Sequence, residues 1–138
     1  MNWRKNESQM VQELNERVFK KDRLIQSTGN FNPYDTYNQV YVIELKNREN
    51  YSPFAFNGSL IEEIKYRPLM ERAKQYNRIP GYIVKFNDGS YYAWNLKQLK
   101  RELVWYEKDL PHTTHFTSNN FKLKRVADLY LDEATKLI

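Results

Sequence analysis

Residues 40–48, VYVIELKNR, set the tightest condition on any fold this chain can adopt. Alternation puts Ile43 and Leu45 on one side of a strand and Val40, Val42, Glu44 and Lys46 on the other. That second side begins apolar and ends charged. A strand on a solvated surface has no need of such a change along its length. A strand that runs from a core into a cleft does.

Composition supports a folded domain around this strand. The chain has 138 residues, with 41% hydrophobic and 15% aromatic, which argues against disorder and is enough for one domain with a core, residues 1–138. No apolar run approaches the ~20 residues of a membrane span. The N-terminal MNWRKNESQM lacks the apolar stretch of a secretory signal, so a cytoplasmic protein with no membrane partner is expected. The absence of cysteine excludes disulfides, thiolate metal sites and a cysteine nucleophile. The formal net charge of +5 is a mild excess, compatible with a polyanionic partner.

Residues 5–21 carry Met10, Val11, Leu14 and Val18 at helical spacing. Residues 23–28 form a short strand candidate, and breakers at Gly29, Asn30 and Pro33 precede a second extended piece near Tyr34. Ser59 and Glu62 match a capping box, predicting a helix to about Gln75 with Pro68 inside it. Asn87-Asp88-Gly89 predicts a hairpin turn between strands 82–86 and 90–94. Asn95 then reads as the cap of a helix bearing Leu96, Leu99 and Leu103. A polar loop over 111–120, a strand over about 121–130 and a short helix after Asp132 complete the order α-β-β-β-α-β-β-α-β-α. The expected class is α/β, a mixed central sheet flanked by helices.

The chemistry concentrates on Asp35, Glu44 and Lys46. A tight turn near Asn38-Gln39 would pair the two extended pieces and set Asp35 across from Glu44, with Cβ atoms ~5 Å apart. Two carboxylates that close repel unless a cation lies between them. Hard oxygen ligands of this kind suit Mg²⁺ or Mn²⁺, with the Leu45 carbonyl as a natural third ligand. Lys46 projects on the same side, ~7 Å along the strand, where an ammonium can hold a phosphate or an attacking water and steady transition-state charge. These are the parts of a phosphodiester hydrolase.

An aspartate in PYDTYN followed, after about ten residues, by an apolar strand ending Glu44-Leu45-Lys46 resembles the signature of the PD-(D/E)xK nuclease superfamily. Pro33 is separated from Asp35 by Tyr34, a departure at a position where that family varies. The resemblance spans about residues 5–96 and is strongest toward small phage and Holliday-junction-resolvase members. It implies a restriction-endonuclease-like core, cleavage of DNA with Mg²⁺ or Mn²⁺, and a further glutamate from the first helix. Glu7 is the first choice for that role, ahead of Glu13 and Glu16.

Bland readings compete with each of these. Glu44 and Lys46 can be a charged pair on a solvated face, and Asp35 a turn residue. Lys65, Arg67, Arg72, Lys74 and Arg78 on one helix, and Lys97, Lys100 and Arg101 on the later one, are either solvated charge or a phosphate track. Of these, Lys65, Arg72, Lys97, Lys100 and Arg101 are the candidate nucleic-acid contacts. Tyr91, Tyr92, Trp94, Trp105 and Tyr106 can stack bases but suit the core better. His112 and His115 read as loop histidines. The expectation is a small Mg²⁺-dependent DNA endonuclease that selects DNA structure, an RNA substrate being a separate reading. A homodimer would be needed to cut two strands symmetrically. The alternative is an inactive nuclease-fold module that binds nucleic acid or serves in a virion.

Overall fold

The computed structural model describes residues 3–28, 32–111 and 121–138. Most of the expected 111–120 loop, with His112 and His115, lies outside the described residues. Helix α1 spans Trp3–Arg17 and turns Met10, Val11 and Leu14 inward. It ends four residues short of expectation, where Val18 and Phe19 both donate their amides to the Leu14 carbonyl. Buried Asn15 then ties the returning chain, exchanging two hydrogen bonds with the Leu24 backbone.

Strands β1 (Ile25–Gln26), β2 (Thr36–Tyr37) and β3 (Tyr41–Arg48) follow as an antiparallel meander. The β2–β3 turn is held by Asn38, whose backbone amide donates to the Tyr41 carbonyl at 3.0 Å and whose side chain adds three bonds. Asn38 Oδ1 accepts the Val40 and Tyr41 amides at 2.9 and 2.8 Å, while its Nδ2 donates to the Asp22 carbonyl. Strand β4 (Gly58–Glu62) leads into helix α2 (Glu63–Tyr76), and β5 (Ile79–Phe86) returns parallel to β3. Strand β6 (Tyr91–Asn95) follows the Asn87-Asp88-Gly89 turn, in which Gly89 takes φ +84°. Then come β7 (Tyr106–Pro111), β8 (Phe121–Tyr130), a 3₁₀ turn at Leu131–Glu133 and β9 (Thr135–Lys136).

The six-stranded mixed sheet has the order β1-β2-β3-β5-β6-β9, and a second sheet the order β4-β8-β7. Alternation divides the core in two. Ile43, Leu45, Ile83 and Tyr91 meet α1 on one face. Val42, Tyr82, Val84 and Trp94 meet α2 and Leu129 of β8 on the other. The architecture is thus the mixed α/β sheet with flanking helices that the sequence predicts.

Three local expectations fail for physical reasons. Ser59 and Glu62 do not form a capping box: both belong to β4, and Glu62 at the helix entry makes no capping bond. Instead β4 satisfies its backbone against β8, Ile61 facing Ala127 and Glu62 facing Val126. Residues 96–103 form turns rather than a helix. Asn95 does accept the Lys97 amide, and Leu96, Leu99 and Leu103 still reach the core. The element after Asp132 is a single 3₁₀ turn running into β9. Pro68 lies within α2 as expected, and Asn77 ends that helix at φ 53°.

Gly58 starts β4 at φ +138°, and a Cβ there would stand 2.0 Å from the Leu129 carbonyl oxygen. Gly58→Ala combines that clash with backbone strain of ~1–3 kcal/mol. Thermal denaturation should show a Tm lower by roughly 10 °C or more, at ~4 °C per kcal/mol for a chain of this size.

Candidate active site

The site grows from the register of β2 and β3. Thr36 faces Ile43 and Tyr37 faces Val42, so the next pair outward is Asp35 and Glu44. The Asp35 amide still donates to the Ile43 carbonyl at 2.9 Å. One step further the pairing changes character, because the Leu45 amide donates to Asp35 Oδ2 at 2.8 Å. A side chain there replaces the backbone of a neighbouring strand. Strand geometry points the amide and carbonyl of one residue to the same edge, so the Leu45 carbonyl faces the Asp35 side too.

Glu44 shares its face with Val42 and is 8% exposed. Burial raises its pKa well above the ordinary glutamate value, and the adjacent Asp35 charge raises it further, against opposition from Lys65 and Lys46. Glu7 arrives from α1. It stands at i, i+3, i+4 and i+7 with Met10, Val11 and Leu14, so it continues the helix's inward stripe to the edge of the sheet. Burial lifts the Glu7 carboxyl to about 8, helped by the charge of Asp35 and a hydrogen bond with it, while Gln26 and Lys65 act against the shift. Among the described residues, no three His, Asp or Glu side chains close into a ready-made metal site. The acids meet in pairs, Glu7 with Asp35 and Asp35 with Glu44.

Lys46 is half-buried one step along the same face. Burial lowers its pKa, with Arg48 and Lys124 pushing the same way and Glu62 and Glu44 pulling back. Its charge is therefore held at a cost that a bound anion would offset.

Asp35, Glu44, Lys46, Glu7 and Lys65 thus come together. Glu13 does not join them: it pairs with Lys85 at 3.8 Å and lies beside Tyr91. Glu16 is exposed and accepts from Gln12. The other candidate basic contacts scatter. Arg72 stacks on Tyr76 and donates to its hydroxyl at 3.0 Å. Lys97 and Lys100 are exposed in the turns after β6, not on a helix. Arg101 is engaged by Asp132 at 2.7 Å and Glu133 at 3.6 Å, over the Tyr130 ring. Arg48 also stands beside Lys46, and two further neighbours escape the sequence reading, Glu62 and Lys124, which pair at 3.0 Å. Alternation places Arg48 on the Lys46 side, but Glu62 reads as a cap and Lys124 has no local signal.

No family model matches the chain, and no curated protein does. Among solved structures, the fold is similar to that of Hjc, a Holliday-junction resolvase from the archaeal hyperthermophile Archaeoglobus fulgidus. The TM-score is 0.52 over 69% of this chain and 81% of that one, at 14% sequence identity. The likeness is one of fold.

A carboxyl whose folded pKa is raised supports the fold while protonated, and that support is lost as pH rises through the folded value. Glu44→Gln removes the buried charge. The metal-free variant should therefore melt a few degrees above the parent at about pH 8, at ~4 °C per kcal/mol. The gap should close below about pH 4.5, the ordinary glutamate value. Melting curves across that range, with chelator present, check both the sign and the window.

Proposed function

We propose that the chain is a divalent-metal-dependent nuclease that hydrolyses DNA phosphodiesters and selects DNA by structure rather than base sequence. The observation that carries this reading is Asp35 set across from Glu44, whose proton affinity is raised by burial and by the Asp35 charge, with Lys46 beside it on one sheet face. Burial and repulsion between carboxylates so placed outweigh the nearby Lys65 and Lys46, which fits a cation between them. The similarity in fold to a Holliday-junction resolvase supports the same reading.

The donor set is all oxygen, which suits Mg²⁺ or Mn²⁺. Asp35, Glu44 and the Leu45 carbonyl would hold the ion, and Glu7 would act through its hydrogen bond to Asp35. Bound there, the ion would lower the pKa of a water and polarise the phosphate. The chain's own residues supply the rest. Asp35 is fixed by the Leu45 amide and so is aimed before any ligand arrives. Lys46 holds a positive charge where phosphate oxygens gain negative charge. Exposed Lys65, an electrostatic neighbour of both Glu7 and Glu44, adds a second cation at the mouth. A homodimer would supply the two sites that symmetric cutting of a junction needs.

The test is incubation with supercoiled, single-stranded and branched DNA, and with RNA, in Mg²⁺, Mn²⁺ or chelator. Cleavage of DNA should require the metal, with branched substrates cut fastest. Asp35→Ala, Glu44→Ala and Lys46→Ala should each lower the rate ~10²-fold or more, and Glu7→Gln by ~10-fold. DNA binding without any cut product, unchanged in Glu44→Ala, would overturn the reading in favour of a binding module.

A further inference from the structure

Strands β7 and β8 pair from Tyr106–Val126 to Pro111–Phe121, whereas β4 joins β8 only from Val126 onward. Residues 106–111 and 121–126 therefore form a two-stranded ribbon that runs out from the three-stranded sheet. Its two faces differ in charge. One carries Glu107 opposite Arg125 and Asp109 opposite Leu123, and Arg125 is paired with Glu63 at 2.9 Å. That face is acidic on balance, with two carboxylates on the ribbon against one guanidinium. The other carries Lys108 directly opposite Lys124, with Lys122 two residues along opposite Leu110.

Like charges directly opposite one another destabilise a strand pair. Among the described residues Lys108 and Lys122 have no ion pair, and both are exposed. Only Lys124 has an acid, Glu62 at 3.0 Å. Glu62 and Lys124 both act electrostatically on Lys46, so the lysine face is continuous with the Lys46 end of the site. Three amines on one side of a ribbon, two of them without an acidic partner among the described residues, match a regularly spaced polyanion. The major groove of B-form DNA, ~12 Å wide, admits a two-stranded ribbon, while that of A-form RNA is deep and narrow.

We propose that the Lys108–Lys122–Lys124 face of the β7–β8 ribbon grips duplex DNA and leads its phosphate backbone to Lys46. The proposal rests on the nuclease reading for its direction but is tested without cleavage. Binding of a fluorescent duplex is followed by anisotropy in chelator, from about 50 to 200 mM salt, for the parent, Lys108→Gln/Lys122→Gln and Lys20→Gln/Lys21→Gln. The last pair lies after α1 and removes the same charge elsewhere. The ribbon variant should lose at least ~10-fold in affinity near 0.1 M salt, and its log–log salt slope should fall by about 1.8, two contacts at ~0.9 each. The Lys20/Lys21 variant should keep the parental slope. Equal losses in both variants, no loss in the ribbon variant, or binding of duplex RNA alone would overturn the grip. If the ribbon variant loses duplex binding while the parent cuts no substrate with metal, the grip stands and the nuclease reading falls. If the ribbon variant binds and cuts like the parent, the reverse holds.

Discussion

The hydrogen bond from the Leu45 amide to the Asp35 carboxylate is where sheet pairing gives way to site chemistry. Behind it, β3 is bonded on both edges and its apolar residues are sealed between α1 and α2. Ahead of it, β2 has ended and the Leu45 edge has a carboxylate in place of a backbone neighbour. Losing that acceptor would leave a half-sealed amide unpaired, at a cost of ~1–3 kcal/mol. One side chain thus completes the sheet and stands at the centre of the acidic group. The free energy of the fold and the placement of the acids are coupled through it.

A buried charge that the fold must tolerate is a mark of function at stability's expense. Glu44 and Glu7 are both shifted toward their neutral forms, and Lys46 toward its own. Packing alone would have favoured apolar groups at these places, as it does at Val42 and Val84 on the same face. The change from apolar to charged along β3 follows from this. The inner half of the strand answers to the core, and the outer half carries charge that packing alone does not favour.

What could be read from the residues was what depends on near neighbours in the chain. Period-two alternation located β3 and its two faces, and the turn residues around Asn38 brought Asp35 opposite Glu44. The Asp88-Gly89 hairpin was equally local. The choice of Glu7 over Glu13 could have been sharper, since Glu7 continues the stripe of Met10, Val11 and Leu14 while Glu13 lies beside it. What depends on distant pairing was not legible. GSLIE becomes a strand because β8, more than sixty residues later, offers it a partner, and its serine and glutamate meanwhile imitate a helix start. YEKDLP is too charged to announce a strand and becomes one on the same partner. The leucines at 96, 99 and 103 can be buried from turns as well as from a helix, so their spacing did not decide between them.

The Asn38 turn carries a consequence for how such a site can be tuned. Its amide oxygen gathers two backbone amides and its amide nitrogen reaches across to Asp22, which locks the register in which the strands leave the bend. Slippage by one position there would turn one acid to the opposite side of the sheet. The facing of the two acids is therefore governed partly by an uncharged residue that is not one of them. Variation at this bend offers a route to weakening or retuning the centre while every reactive group stays in place.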